Sequence, residues 1–244
     1  STTMTLVRYD AERLEERELS APEEFVSALS QPGVLWLHVQ GDVAPEQLRR
    51  FADLLHLHPL AVEDVANEPQ RPKAEEYEEQ DFIIAHTIEA LDHQFVFRKF
   101  SMFMGENYVL SFQTGSDAVA EPVRQRLRTA RGLIRHHGVD HLMYALLDTI
   151  VDSYFPILED MGEHLDDVQE QALWHERPNT VHLIQSAKRE LRQLRRVLWP
   201  LRDVLNVLMR DDNNTVSPPV RHFLRDCYDH VIQLMDMVEV YREM

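Results

Sequence analysis

The hydrophobic rhythm of the 244-residue chain changes near residue 117. Up to that point, short apolar runs alternate with amphipathic stretches. Val34-Leu35-Trp36-Leu37-His38-Val39 and Phe82-Ile83-Ile84-Ala85-His86-Thr87-Ile88 read as buried strands, rich in β-branched and aromatic side chains. Phe95 to Met104 and Tyr108 to Phe112 flank Gly105-Glu106-Asn107, which predicts a hairpin. Pro45 opens a helix through Leu55 and Pro59 another through Asn67, each proline standing at the first helical position, where its missing N–H costs least. Pro69 and Pro72 then force an extended crossing into the next strand.

Beyond residue 117 the pattern predicts helices only. Pro122 to Ile134 reads as a helix with an arginine face. Over residues 140–174, Leu142, Leu146, Ile150, Tyr154, Ile157, Met161, Leu165 and Val168 recur at helical spacing. Pro178-Asn179 makes a turn, and a second long helix runs from Val181 toward Arg210 with a bend expected at Pro200. Asp211-Asp212-Asn213-Asn214 ends it, and Pro218-Pro219 begins a third helix. In that helix Phe223, Cys227, Val231, Leu234, Val238 and Tyr241 form a stripe running to Met244 without a Gly, Asn or Pro stop signal, so the reading is a helix cut in its middle. The predicted organisation is a sheet-and-helix head over residues 1–134, a long antiparallel helical pair over 135–216 and the start of a further helix over 217–244.

Charge narrows the partners. Against 25 basic side chains stand 42 acidic ones, a net charge of −17, which repels nucleic-acid phosphates and anionic lipid and attracts cations. The single cysteine, Cys227, excludes an intramolecular disulfide and a multi-thiolate zinc site. Ser1-Thr2-Thr3-Met4 opens no charged-then-apolar leader pattern, and the longest apolar run, Leu142 to Leu158, is broken by Asp148 and Asp152. The chain as given therefore reads as soluble.

Catalytic patterns are missing. The seven glycines form no dinucleotide- or phosphate-binding loop, and Asp211-Asp212-Asn213-Asn214 lacks the Gly and terminal Glu of a calcium loop. His56 with His58, and His136 with His137, have no further ligand at metal spacing. No enzyme activity and no catalytic or cofactor-binding residue is expected. Glu159, Asp160, Glu163, Asp166, Asp167 and Glu170 crowd one long helix, and Lys188, Arg189, Arg192, Arg195 and Arg196 the next, so the basic run is expected to be neutralised by the acidic helix rather than to bind nucleic acid. Asp148, set among Leu146, Leu147 and Ile150, is a carboxylate at a position of burial or interface, where it needs a partner.

His58-Pro59-Leu60-Ala61-Val62-Glu63-Asp64-Val65 followed by Gln70-Arg71-Pro72-Lys73 resembles a stretch of the CorA family of magnesium/cobalt transporters. The resemblance continues, in order, through Glu121-Pro122-Val123-Arg124, Asp148-Thr149-Ile150-Val151-Asp152-Ser153-Tyr154-Phe155, Trp199-Pro200-Leu201-Arg202-Asp203 and Arg225-Asp226-Cys227-Tyr228-Asp229-His230. It covers about residues 55–244, and the first 54 match in outline only. It implies an α/β/α sandwich head, long antiparallel helices and a C-terminal stalk helix leading to membrane spans beyond Met244. It also implies a homopentamer at the cytoplasmic face of the inner membrane, and a channel or transporter for Mg2+ or Co2+ closed by Mg2+, or another divalent cation, bound between subunits. The family's regulatory acids correspond to Glu63 and Asp64 on one side of that junction, with Asp148 and Asp226 contributing the rest. The competing reading is a soluble acidic protein that binds divalent ions or a basic partner and has no membrane part.

Overall fold

A computed structural model describes residues 2–67, 70–91, 94–174, 180–210 and 212–244. Pro69, the turn at Pro178-Asn179 and the first residue of the 211–214 loop lie outside the described residues.

Among the described residues seven strands form one sheet: β1 (Thr3–Tyr9), β2 (Leu14–Glu18), β3 (Val34–Gln40), β4 (Lys73–Glu76), β5 (Asp81–Leu91), β6 (Gln94–Met104) and β7 (Tyr108–Gln113), in the order β2-β1-β3-β7-β6-β5-β4. Every pair is antiparallel except β3 with β7, where Leu37 stands beside Leu110 and His38 beside Ser111. The central strands are apolar on both faces, which is why they read as unbroken runs.

Three helices cover one face: α1 (Pro22–Ala28), α2 (Pro45–Leu55) and α3 (Pro59–Ala66). Phe25, Phe51, Leu55, Ala61 and Val65 pack there on Leu35, Leu37, Phe82, Ile84 and Leu110. The expected prolines stand at the first turns of α2 and α3, and α2 ends on His56 in the left-handed conformation (φ 52°). The other face carries α4 (Ala120–Arg128), α5 (Val139–Trp174), α6 (Thr180–Leu208) and α7 (Pro218–Glu243). Their Leu127, Leu146, Tyr154, Leu198 and Val231 share a core with Trp36, Ile83, Phe100 and Val109 from the reverse side of the same strands. The architecture is an α/β/α sandwich whose second helical layer is made of long helices, with a long C-terminal helix.

Two expectations change. The helix read across 122–134 stops at Arg128, because Ala130 turns left-handed (φ 49°) and the Arg131 N–H bonds back to the Arg126 carbonyl; Ile134–His136 is a separate 3-10 turn. The acidic run of α5 makes no ion pair with the arginines of α6 among the described residues; Arg195 instead meets Glu239 of α7 at 3.4 Å and stacks over Trp199.

The packing of α5 on α7 is fixed near both ends of α7. Asp140 at the start of α5 accepts the N–H of Ser217 at the start of α7 (2.8 Å), and Gly162 farther along α5 lies against Tyr241 near the end of α7. A side chain at Gly162 would collide with the Tyr241 hydroxyl, so the missing Cβ lets the two helices approach. α5 and α7 therefore run parallel and keep a constant offset.

Candidate metal centre

That register sets Asp148 and Asp152 of α5 against Asp226 and His230 of α7. Each pair is spaced i, i+4, so each helix offers two donors on one face. Donor atoms of Asp148, Asp152 and His230 all lie within 4.8 Å of one another. His230 Nδ1 is 3.8 Å from Asp152 Oδ1, and its Nε2 is 4.0 Å from Asp226 Oδ2. The imidazole is held edge-on to Phe155 at 5.9 Å, yet its Nδ1 has no hydrogen-bond partner among the described residues. Asp148 is half-buried, whereas the side chains of Asp152 and Asp226 are 59% and 68% exposed.

Burial comes first among the causes that push the Asp148 carboxyl up to about 6, and the neighbouring Asp152 carboxylate adds to it; Arg126 and His230 oppose the shift. Asp152 is raised too, by burial, with His230 and Arg126 opposing and Asp226 adding. The same negative field reaches beyond the cluster. Burial raises the Cys227 thiol and the Tyr144 hydroxyl, and Asp148 is the next cause for both. An arrangement of two carboxylates and an imidazole nitrogen, with Asp226 standing at the other ring nitrogen, repelled by its own charge and open to water on one side, fits a hard divalent cation that keeps part of its hydration shell. The imidazole adds a donor of the kind that Co2+ takes readily.

Of the four acids expected as ligands, Asp148 belongs to this group and Asp226 stands beside its His230. Glu63 and Asp64 are not among them. They sit on α3, anchored by Ala61 and Val65 to the opposite face of the sheet from α5 and α7. Glu63 is exposed, and Asp64 makes an ion pair with Lys73 of β4. The C-terminal turn of α3 is gripped from beneath by the Lys99 ammonium, which donates to the carbonyls of Asp64 (2.8 Å) and Asn67 (2.6 Å). Asp152 and His230 were not singled out as ligands by sequence reasoning. Their i, i+4 spacing from Asp148 and Asp226 was the available signal.

Residues 31–244 match the model of the family described as CorA-like Mg2+ transporter protein. The chain is 33% identical over 240 residues to the cobalt/magnesium transport protein CorA of Thermotoga maritima, an alignment that spans 98% of this chain and 68% of that protein. It is 28% identical over 223 residues to the putative metal ion transporter YfjQ of Bacillus subtilis, spanning 90% and 68%. The fold superposes on the soluble domain of CorA from Methanocaldococcus jannaschii with a TM-score of 0.79 at 20% identity, covering 98% of this chain and 92% of that one. No helix among the described residues is long and apolar enough to cross a membrane.

Proposed function

The chain belongs to the CorA-like Mg2+ transporter family, and from that premise we propose that it is the cytoplasmic Mg2+-sensing part of a channel or transporter that carries Mg2+ or Co2+ and closes when intracellular Mg2+ is high. The observation that carries this reading is the convergence of Asp148, Asp152 and His230 on parallel helices, with Asp226 beside His230 and the Asp148 carboxyl raised to about 6. A carboxylate held in that state is stabilised by whatever brings positive charge to it.

The working unit is a homopentamer, in which Glu63 and Asp64 of one copy face Asp148 and Asp226 of its neighbour. Without the ion these acids repel one another across the junction. A divalent ion bridges them, and the bridged arrangement is the closed one. Mg2+ suits this task because it needs few protein carboxylates and completes its octahedron with water.

The test is the rise in melting temperature with Mg2+ or Co2+, since an ion bound only by the folded or assembled state stabilises it by mass action, by about 1.4 kcal/mol at tenfold excess over the dissociation constant. Asp226→Ala shrinks that rise, whereas Glu163→Ala, on the exposed acidic run of α5, leaves it. Equal effects of the two substitutions would mean general charge screening and would sink the assignment.

A further inference from the structure

β4 is the edge strand beside α3, and its side chains alternate so that Lys73 and Glu75 share one side. The Lys73 ammonium makes an ion pair with the Asp64 carboxylate, lies 3.2 Å from Glu75 Oε1 and stands 6.0 Å from the centroid of the Phe82 ring. Glu75 is held in turn by the Tyr77 hydroxyl, which donates to its Oε2 at 2.7 Å. The Tyr77 ring stacks at 4.1 Å on His58, and His58 caps α3 by accepting the Leu60 N–H at its Nδ1 (3.3 Å). A continuous set of contacts thus leads from the first turn of α3, through β4, back to Asp64 in its last turn. The two ends of the central ion pair are largely shielded, with side-chain exposures of 15% for Asp64 and 24% for Lys73.

Resting on the reading of Asp64 as a metal ligand, we propose that Lys73 is a resident cation that a divalent ion must displace from Asp64, and that Glu75 is the acceptor to which Lys73 then moves. The reasoning is electrostatic. A doubly charged ion at the Asp64 carboxylate would stand beside an ammonium already seated there, and the repulsion between them weakens the ammonium's hold on Asp64. The ammonium needs another anion within reach, and Glu75 already touches it. Tyr77 keeps Glu75 in place for that exchange. Lys73 and Glu75 together then set the Mg2+ concentration at which the α3 half of the site fills: Lys73 raises it, and Glu75 lowers it.

The two residues give opposite signs, which a merely structural clamp would not. The experiment is a Mg2+ titration of the purified chain, read as the midpoint of the rise in melting temperature, for wild type, K73Q, E75Q, D64N and D226N. K73Q lowers the midpoint about fivefold, the worth of one partly shielded ion pair, and E75Q raises it by a similar factor. If D64N and D226N weaken the response while K73Q leaves the midpoint unchanged or raises it, Lys73 is a clamp and the displacement proposal alone is overturned. If D64N and D226N have no effect, or the wild type shows no response, the assignment of the site fails and the role of Lys73 fails with it. Should K73Q not fold, the direction of the E75Q shift decides.

Discussion

Replacing Asp148 by Asn should make the metal-free protein more stable, the reverse of what loss of a partly buried polar contact normally does. The carboxyl is raised from the ordinary 3.8 to about 6, chiefly by burial and then by Asp152. A shift of about two units corresponds to a ceiling of ~3 kcal/mol. The group is only half-buried, so solvent screening brings the expected gain to about 1–2 kcal/mol. For a chain of this size that is a rise of about 3–6 °C in melting temperature. The pH dependence carries its own sign. A folded-state carboxyl with a raised pKa binds more protons than the unfolded chain between its two pKa values, so its penalty is full above about 6 and gone below about 4. The Asn variant should therefore lead by the full margin near neutral pH in chelator, and the two curves should converge as pH falls through that window. Saturating Mg2+ should close the gap from the other side, because the ion stabilises the wild-type carboxylate and has less to hold in the variant. Differential scanning calorimetry in chelator across a pH series, repeated with Mg2+, decides it. An Asn variant no more stable than wild type near neutral pH would show that Asp148 is under no electrostatic stress, and the main support for the metal centre would fall.

Two further outcomes concern the scaffold. Tyr154→Phe removes the hydroxyl that reaches from α5 to the His86 carbonyl of β5 (2.8 Å) in a fully buried setting; the expected loss is about 1–2 kcal/mol in denaturant unfolding, and a change within error would mean that carbonyl finds another donor. His38, His86 and His141 are each pushed down to about 4, by burial before any other cause, so each favours folding fully above about 6.5 and loses that contribution as pH falls toward 4. Three such groups outweigh the opposite slope of Asp148, so the wild-type melting temperature should fall between about pH 6.5 and 4.5, and a flat or rising curve would contradict those histidine environments.

The sheet was legible in the sequence where it is central and silent where it is an edge. β3, β5, β6 and β7 are buried on both faces and leave continuous apolar runs such as Val34 to Val39. β2 is Leu-Glu-Glu-Arg-Glu and β4 is Lys-Ala-Glu-Glu, with no apolar alternation to see. Their existence is decided by the strands they pair with, Leu6 opposite Arg17 and Ile84 opposite Lys73, and not by their own composition. β1 and the short helix α1 were likewise unread, although Met4, Leu6, Val7 and Tyr9 divide between the two cores. The long helices were plain, because their stripes run for many turns. What no stripe reveals is that α5 and α7 lie parallel in contact, since α6 intervenes in sequence.

The candidate site residues came from resemblance and not from any pattern of apolar positions. Resemblance singled out Asp148 and Asp226, and packing along α5 and α7 adds Asp152 and His230 to them. Glu63 and Asp64 belong to the other layer. Ala61 and Val65 seat α3 among Leu35, Leu37 and Ile84, while Leu146, Ile150 and Val231 seat α5 and α7 among Ile83, Phe100 and Val109. With the sheet between the two layers and inner-sphere contacts to a divalent ion only about 2 Å long, an ion touching both sets would have to be shared between two copies of the chain. The two halves would enter the proposed junction unequally prepared. On α3, Asp64 is already neutralised by Lys73. On α5 and α7, Asp148 is raised by burial and by its acidic neighbour. In the proposed junction an ion would relieve the stress on Asp148, and the proposed exchange at Lys73 would oppose its binding. The sensor proposed here would respond over the concentration range in which the first effect begins to exceed the second.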